Sequence, residues 1–459
     1  MNRSTIAKYV AGDAQFRELL SGSSVAFGFK VCGSAATFVV TLLMARLFQS
    51  RDAGLFFLTI ALAEILATVA RLGLAQSIIA FVSRFATLEQ WSKVKGVFKG
   101  SLLAVSSSSI LIGLVLLAAA PLAAEAIFSQ ADLANYLRIL AFGILPLSLV
   151  YLVGNALKGL GRLRESQFVI SFGLQLFLLL GLLVVMHRRT VSMVIWAYVA
   201  AAWITAAAAL FWWRRYTPRL KALKAVIPFA LIIASALPMY WTNLLMIVNA
   251  RAGIFVLGVL ATPTDVFIYH VGLRISMLAG FVLLAVNAYC APKFAALHAR
   301  GDMPGLEKTA RQATLLTTVA TMPLLLVVLI FPEVVLSFFS RELAGHGRVL
   351  TILAVGQCVN MASGPVGMLL AMTGHERSLR NIYLGSTAVN LVLQFSLVPA
   401  LGAGGAAWAT TAGVFLVNLA ALAAVKSRLG IRVLPGVLPT KTPATVDACL
   451  IDKSERPLS

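Results

Sequence analysis

The stretch Leu137-Arg-Ile-Leu-Ala-Phe-Gly143 returns 213 residues later as Leu350-Thr-Ile-Leu-Ala-Val-Gly356, with five identities in seven positions. One apolar match carries little, because Leu and Ala often pair by chance. The same offset also sets Gly161 on Gly374, Arg164 on Arg377, Asp52 on Asp265 and Phe56 on Tyr269. Several matches at one offset, with glycines and charges among them, mark an internal duplication. Each copy holds six apolar segments, an even number, so both copies enter from the same side. They are expected to be parallel repeats related by an axis along the membrane normal, with a site between them.

Composition places these segments in a membrane. Of the 459 residues 60% are apolar and only 12% are charged, against about 25% charged in ordinary soluble domains. A soluble chain of this length needs more charge to cover its surface. Runs of about twenty apolar residues recur, each long enough to cross ~30 Å of hydrocarbon. They are rich in Leu, Ala, Val and Gly and read as helices, not barrel strands. The expected fold is all-α: a polytopic membrane protein of about twelve transmembrane helices in two six-helix repeats.

The formal charge of +21 would suit nucleic acid in a soluble protein. Here the bases fall mainly in short connections between apolar runs, the positive-inside pattern, and no nucleic-acid partner is expected. Cys32, Cys290, Cys358 and Cys449 show no CxxC spacing and indicate neither a metal site nor a disulfide framework. No Walker loop, metal-ligand cluster or nucleophile elbow stands out, so neither a cofactor nor ATP hydrolysis is expected. The first 22 residues are polar and mixed in charge. The apolar run after them is too long for a cleavable signal and reads as a signal anchor.

The first six spans read as Ser24–Leu47, Gly54–Val82, Gly100–Ala120, Tyr136–Leu157, Phe168–Met186 and Val191–Trp213. The second six read as Ala225–Val248 (with a continuation to Leu260 left open), Val266–Ala291, Ala313–Phe339, Val349–Met372, Leu379–Pro399 and Gly404–Val425. The chain so divides into a cytoplasmic segment 1–22, an N-lobe 23–215, a C-lobe 216–430 and a tail 431–459. The tail is polar, broken by Pro435, Pro439, Pro443 and Pro457, and reads as disordered. Alternate connections hold Arg84, Lys93, Lys95 and Lys99, then Lys158, Arg162 and Arg164, then Arg214, Arg215, Arg219, Lys221 and Lys224. His187-Arg188-Arg189 is the exception. The majority places both termini in the cytoplasm.

Charge inside hydrocarbon costs at least ~2.5–3.5 kcal/mol at a helix centre, so each case needs a reason. Lys30, Arg71, Arg251 and Arg274 lie well inside spans, and Glu64 is the comparable acid. All fall on spans 1, 2, 7 and 8, the first two of each repeat. Lys30, Ser34, Thr37 and Thr41 share a helix face, as do Glu64, Thr68 and Arg71, and as do His270 and Arg274. Structural readings stand beside the functional one. Lys30 and Arg251 are near enough to span ends to snorkel. Glu64 reads as a counter-ion to Lys30 or Arg71, or as a proton-coupling carboxylate. His270 reads as a polar interface residue or a proton carrier. Four bases against one acid suit an anionic ligand, because Arg and Lys pair well with phosphate oxygens. Pro146, Pro228, Pro238, Pro323 and Pro365 are expected to kink helices. Gln357, Asn360, Asn390 and Gln394 are expected to bond across helices rather than bind ligand.

The segment Gly356-Gln-Cys-Val-Asn-Met-Ala-Ser-Gly-Pro-Val-Gly367, followed by Met372-Thr-Gly-His-Glu376, resembles bacterial polysaccharide flippases. So do Asp52-Ala-Gly-Leu-Phe56 and Leu401-Gly-Ala-Gly-Gly-Ala-Ala407. Over roughly residues 20–430 the chain is similar to the oligosaccharide flippases of the multidrug/oligosaccharidyl-lipid/polysaccharide exporter superfamily. The resemblance implies two six-helix lobes in a V that opens alternately to each side, around a cavity lined by helices 1, 2, 7 and 8. It implies an undecaprenyl-pyrophosphate-linked oligosaccharide as substrate. That lipid would be flipped from the cytoplasmic to the periplasmic leaflet of the inner membrane, for surface polysaccharide, lipopolysaccharide or exopolysaccharide biosynthesis. Membrane lipids and polysaccharide polymerase or ligase machinery are the implied neighbours. Lys30, Glu64, Arg71, Arg251, His270 and Arg274 are the expected substrate-binding residues. Two departures bear on the phosphate site. Many relatives carry an acidic or neutral residue before Leu-Gly in span 2, where this chain has Arg71. Gly253-Ile254 stand where an Asp-Arg pair is frequent near the end of span 7.

The main alternative is a multidrug or cation antiporter of the same superfamily. Such a protein needs buried carboxylates, and spans 1 and 7 carry none. A polytopic sugar polymerase or ligase needs a sizeable periplasmic loop, whereas every connection here is short, so an enzyme is not expected. Flippases of the peptidoglycan precursor tend to have two further helices. Reporter fusions at Thr217 and Leu306 should behave as cytoplasmic and one at Leu133 as periplasmic; the opposite pattern overturns this topology.

Overall fold

In hydrocarbon every backbone N–H and C=O must find a partner inside the protein, so apolar runs this long become helices. The computed structural model describes residues 14–185, 190–221, 223–226 and 229–433. The expectations for residues 1–13, for His187–Arg189, for Pro228 and for the tail beyond 433 lie outside the described residues. The first half comprises α1 (Ala14–Leu47), α2 (Ser50–Ala70), α3 (Leu74–Thr87), α4 (Trp91–Leu122), α5 (Ala131–Gly159), α6 (Leu163–Val185) and α7 (Val191–Tyr216). The second comprises α8 (Phe229–Leu260), α9 (Pro263–Ser276), α10 (Gly280–Ala299), α11 (Met303–Ile330), α12 (Pro332–Ser337), α13 (Gly347–Ser363), α14 (Val366–Met372), α15 (Glu376–Leu401) and α16 (Ala403–Leu429). Among the described residues eleven stretches are long and apolar enough to cross a membrane, or twelve with the bent pair α13 and α14 taken as one.

Several expected spans are corrected. Gly54–Val82 is two helices, because Leu72 (φ 50°) and Gly73 (φ 74°) leave the right-handed region and break it after Ala70. A Cβ on Gly73 would lie 2.2 Å from the Ala236 carbonyl oxygen of α8, so the approach of α8 demands glycine there. Span 10 breaks at Gly364 (φ 66°) and Pro365, with a 43° bend between α13 and α14. Proline alone does not cause this, since Pro146 and Pro323 lie inside continuous helices. The ninth span is Met303–Ile330, not Ala313–Phe339. Asp302 caps its start through a 2.8 Å bond from the Gly305 N–H, and Pro332 follows its end. The eighth reaches from Pro263 to Ala299, through a tight turn at Met277–Ala279.

The duplication is visible in the packing. Gly161 and Gly374 share a left-handed backbone, φ 75° and 79°. Leu137 and Leu350 are both buried, as are Phe56 and Tyr269. Gly143 packs on Val199 of α7 and Gly356 on Thr411 of α16, so each repeat closes its fourth helix on its sixth in the same way.

The lobes share their largest core at one end. Where α1 passes to α2 and α8 to α9, one apolar core joins the halves, with Phe57 and Leu58 packed among Val256 and Phe267. Lipid tails are as apolar as Leu, so close van der Waals contact holds helices together here. Gly54 permits that contact: a Cβ there would lie 1.7 Å from the Pro263 carbonyl oxygen. Arg46 donates to the Phe338 carbonyl across the same end, at 3.0 and 3.2 Å. Toward the opposite end the cores divide, although α8 still lies on α3, with Ala236 packed into the core of the first half and Gln76 bonded to Asn243. Phe81, Phe98 and Trp213 belong to one, and Phe294, Leu306 and Leu369 to the other. One shared core and two separate ones make a V. Its open end carries the base-rich connections around residues 84–99, 158–164 and 214–224.

Candidate functional site

Beneath the shared core, α2 and α8 each bring a charge to the seam. Arg251 Nε donates to Glu64 Oε2 at 2.6 Å, and Nη2 meets the same oxygen. The two side chains are only 19% and 29% exposed, so solvent screens them weakly. Breaking a pair of this kind by removing one partner typically costs about 3–5 kcal/mol, because the other charge stays buried and unpaired. The counter-ion of Glu64 is therefore Arg251 from the other half, 187 residues away in the chain, and not Lys30 or Arg71 as expected. Arg251 also does not snorkel: it lies nine residues before the end of α8 and is held by Glu64.

α9 adds two groups to the same seam. His270 is buried and stacked on Phe57, 3.8 Å between ring centroids. Neither of its ring nitrogens has a hydrogen-bond partner among the described residues. Arg274, one turn further, shows no ion pair or hydrogen bond among the described residues. Glu64, Arg251, His270 and Arg274 line a cavity of about 30 Å³ with Thr37 and Thr41 of α1. That is room for about two water molecules. Two guanidiniums against one carboxylate leave the seam with a net positive charge.

Arg71 lies apart from this group. It caps the end of α2, bonds the Thr68 hydroxyl and sits 4.2 Å over the Tyr151 ring. With Gln76, Tyr151, Asn155 and Asn243 it lines a separate cavity of about 270 Å³. Arg71 keeps the helical bond to the Ala67 carbonyl, and seven residues, about 10 Å along α2, separate it from Glu64. The expectation that Arg71 and Arg274 share one cavity does not hold in this conformation. Lys30 lines neither cavity. It is exposed on α1, seven residues or about 10 Å from Thr37 along the helix.

A third cavity, about 340 Å³, opens inside the second half. Asn360 and Asn390 were expected only to bond across helices. They do so, Asn390 to Asn249 at 3.1 Å and Asn360 from Asn418 at 3.3 Å, and they also line this cavity. Asn249, Asn418 and Tyr151 were not singled out from the sequence. The available signal was an amide or phenol inside an apolar helix, which needs a polar partner.

Comparison with known proteins follows the same lines. Residues 43–342 match the family model described as "Polysaccharide biosynthesis protein". No match was found among curated protein sequences. The lipid II flippase MurJ, in an inward closed conformation, superposes with a TM-score of 0.69 at 14% identity, covering 89% of this chain and 87% of that one. An inward-facing multidrug resistance MATE family transporter of the MOP superfamily gives 0.67 at 16%, covering 89% and 94%. A MATE protein in its straight conformation gives 0.60 at 15%, covering 92% and 98%. Such identities carry the fold and say nothing of the cargo.

The ion pair is open to a double-mutant cycle. Glu64→Gln and Arg251→Gln should each lower the melting temperature of the purified protein, and the double variant should lose clearly less than their sum. Additive losses would mean that the two side chains do not interact.

Proposed function

This chain belongs to the polysaccharide biosynthesis protein family, and we propose that it flips a polyprenyl-pyrophosphate-linked oligosaccharide from the cytoplasmic to the periplasmic leaflet. Its fold is that of the MOP superfamily transporters and flippases. The observation that carries the reading is the excess of positive charge in the seam. Arg251 and Arg274 face one cavity with only Glu64 between them. Export of a cationic drug would require the opposite balance.

The lipid enters through the open end of the V. The base-rich connections at that end fit the cytoplasmic side. Arg71 is the first guanidinium it meets, in a cavity with room for a phosphate. The next positive charges lie in the seam, where about 30 Å³ leaves no space for a pyrophosphate. For the anion to reach them the lobes must part, and the phosphate oxygens then replace Glu64 as the partner of Arg251. Charge-assisted bonds from guanidinium to phosphate compensate the lost pair. The lobes are thereby freed to rock, and the cavity opens to the far side. Membrane potential adds to this, since one elementary charge moved through 100 mV is worth about 2.3 kcal/mol and a negative interior expels the anion. The undecaprenyl carrier and a polymerase or ligase acting on the product belong to the same reading.

Substitution of Arg71 and Arg274 tests it in proteoliposomes, with membrane abundance and flipping per folded molecule both measured. Arg→Ala at either site should weaken substrate binding about ten- to a hundredfold, the loss of one charge-assisted contact of ~1.5–3 kcal/mol. Arg→Lys should be milder and Arg→Glu worst. Full specific activity in well-folded Arg71→Glu and Arg274→Glu proteins would contradict the anionic pathway.

A further inference from the structure

The 340 Å³ cavity of the second half has no part in holding a phosphate. It lies between α8, α9, α13, α15 and α16, and no charged side chain lines it. Its volume is within the range of small-ligand sites, ~300–1,000 Å³. Its walls carry four asparagine amides and five hydroxyls, set among apolar side chains such as Leu273, Met277 and Val414. Polar groups at this density inside an apolar bundle are costly unless something bonds them.

The amides are partly satisfied and held in place. Asn390 Nδ2 donates to Asn249 Oδ1 at 3.1 Å, and Gln394 Nε2 donates to Asn390 Oδ1 at 3.4 Å. Asn418 Nδ2 donates to Asn360 Oδ1 at 3.3 Å and to the Val414 carbonyl at 2.9 Å. These bonds fix the side chains in the cavity wall. They leave the Asn249 amide N–H groups and the Asn418 carbonyl oxygen without a protein partner among the described residues. Tyr383 is 48% exposed and its hydroxyl makes no hydrogen bond among them. Gly413 forms part of the wall, where a Cβ would lie 3.4 Å from the Asn390 side chain.

Each class of occupant makes a different demand. A phosphate needs a cation, and none lines the wall. An acyl or prenyl chain would strand the amides without partners. A cationic drug needs a carboxylate. A neutral pyranose offers vicinal hydroxyls, each both donor and acceptor, and an apolar ring face for Tyr383. It satisfies unpaired amide N–H and C=O groups together.

We infer that this cavity is the saccharide subsite of the transporter and takes an uncharged sugar of the lipid-linked oligosaccharide. The inference rests on the flippase reading above. Ala250 of α8 lines both this cavity and the one holding Arg71. One substrate can therefore place its pyrophosphate beside Arg71 and its sugar in the second half, with α8 between them.

The test compares two lipids binding to the purified protein in nanodiscs: undecaprenyl pyrophosphate alone, and the same lipid carrying a neutral hexose and N-acetylhexosamine oligosaccharide. Wild type should bind the glycosylated lipid more tightly. Asn390→Ala and Asn249→Ala should lose that preference, with about a tenfold drop for the glycosylated lipid and no change for the bare one. Asn390 is buried and bonded to its neighbours, so Tyr383→Ala serves as the variant that leaves the amide network intact. It should show the same selective loss. An equal loss for both lipids, unchanged binding of both, or a wild type without preference would each overturn the sugar subsite. A wild type that binds neither lipid would overturn the flippase reading and this inference with it.

Discussion

A carboxylate on one lobe and a guanidinium on the other share an ion pair at the depth where neither can be left alone. Hydrocarbon makes an isolated charge expensive, so Glu64 and Arg251 must each keep a partner. Because they sit on α2 and α8, keeping that partner means keeping the lobes together at one end. The lobes cannot separate there until something replaces the carboxylate. On the proposed mechanism an anionic ligand does so, drawn in by Arg274, which has no acid of its own among the described residues. The pair then serves both to hold the seam and to select what opens it. Its strength has the right order. Breaking it costs about 3–5 kcal/mol, while turning a two-state equilibrium from 1:99 to 99:1 takes about 5.5 kcal/mol. On that mechanism one ligand that compensates the pair moves most of the population.

The backbone around the pair makes that movement feasible. Gly54 lets α2 touch Pro263, and Gly73 lets α8 lie against the break between α2 and α3. These close approaches add to the packing of Phe57, Leu58, Val256 and Phe267, and apolar faces that part in a bilayer meet lipid instead of water. α8 touches both halves: Gln76 of α3 bonds Asn243 at 3.1 Å, while Asn249, less than two turns on, belongs to the cavity of the second half. Residues along α8 therefore face the Arg71 cavity, the seam and the amide-lined cavity in turn.

Much of this was legible in the sequence. The repeat showed itself because glycines at Gly161 and Gly374 answer a backbone need, a positive φ that few other residues adopt. The charges on the first two helices of each half stood out because hydrocarbon makes every charge conspicuous. What the sequence concealed was pairing across lobes. Helical spacing relates Glu64 to Arg71, but no local periodicity relates it to Arg251. The break at Leu72 was hidden for a different reason. Leucine seldom adopts positive φ, so nothing in its residue type announces the turn that brings Gly73 against α8. Arg71, at the end of α2, and Arg274 line different cavities. The amide-lined cavity was legible only in part, since Asn360 and Asn390 read as structural groups until their neighbours were in view.

On the proposed mechanism the Glu64–Arg251 pair keeps the lobes closed at one end until an anion replaces the carboxylate. Spin labels on cysteines at Leu88 and Arg300, one on each arm of the V, report the separation of the open end once the native cysteines are replaced. Pulsed dipolar spectroscopy should show that the lipid-linked oligosaccharide brings the arms together in the wild-type chain. Glu64→Gln should shift the distribution the same way without ligand. A Glu64→Gln distribution that superimposes on the ligand-free wild type would contradict the claim.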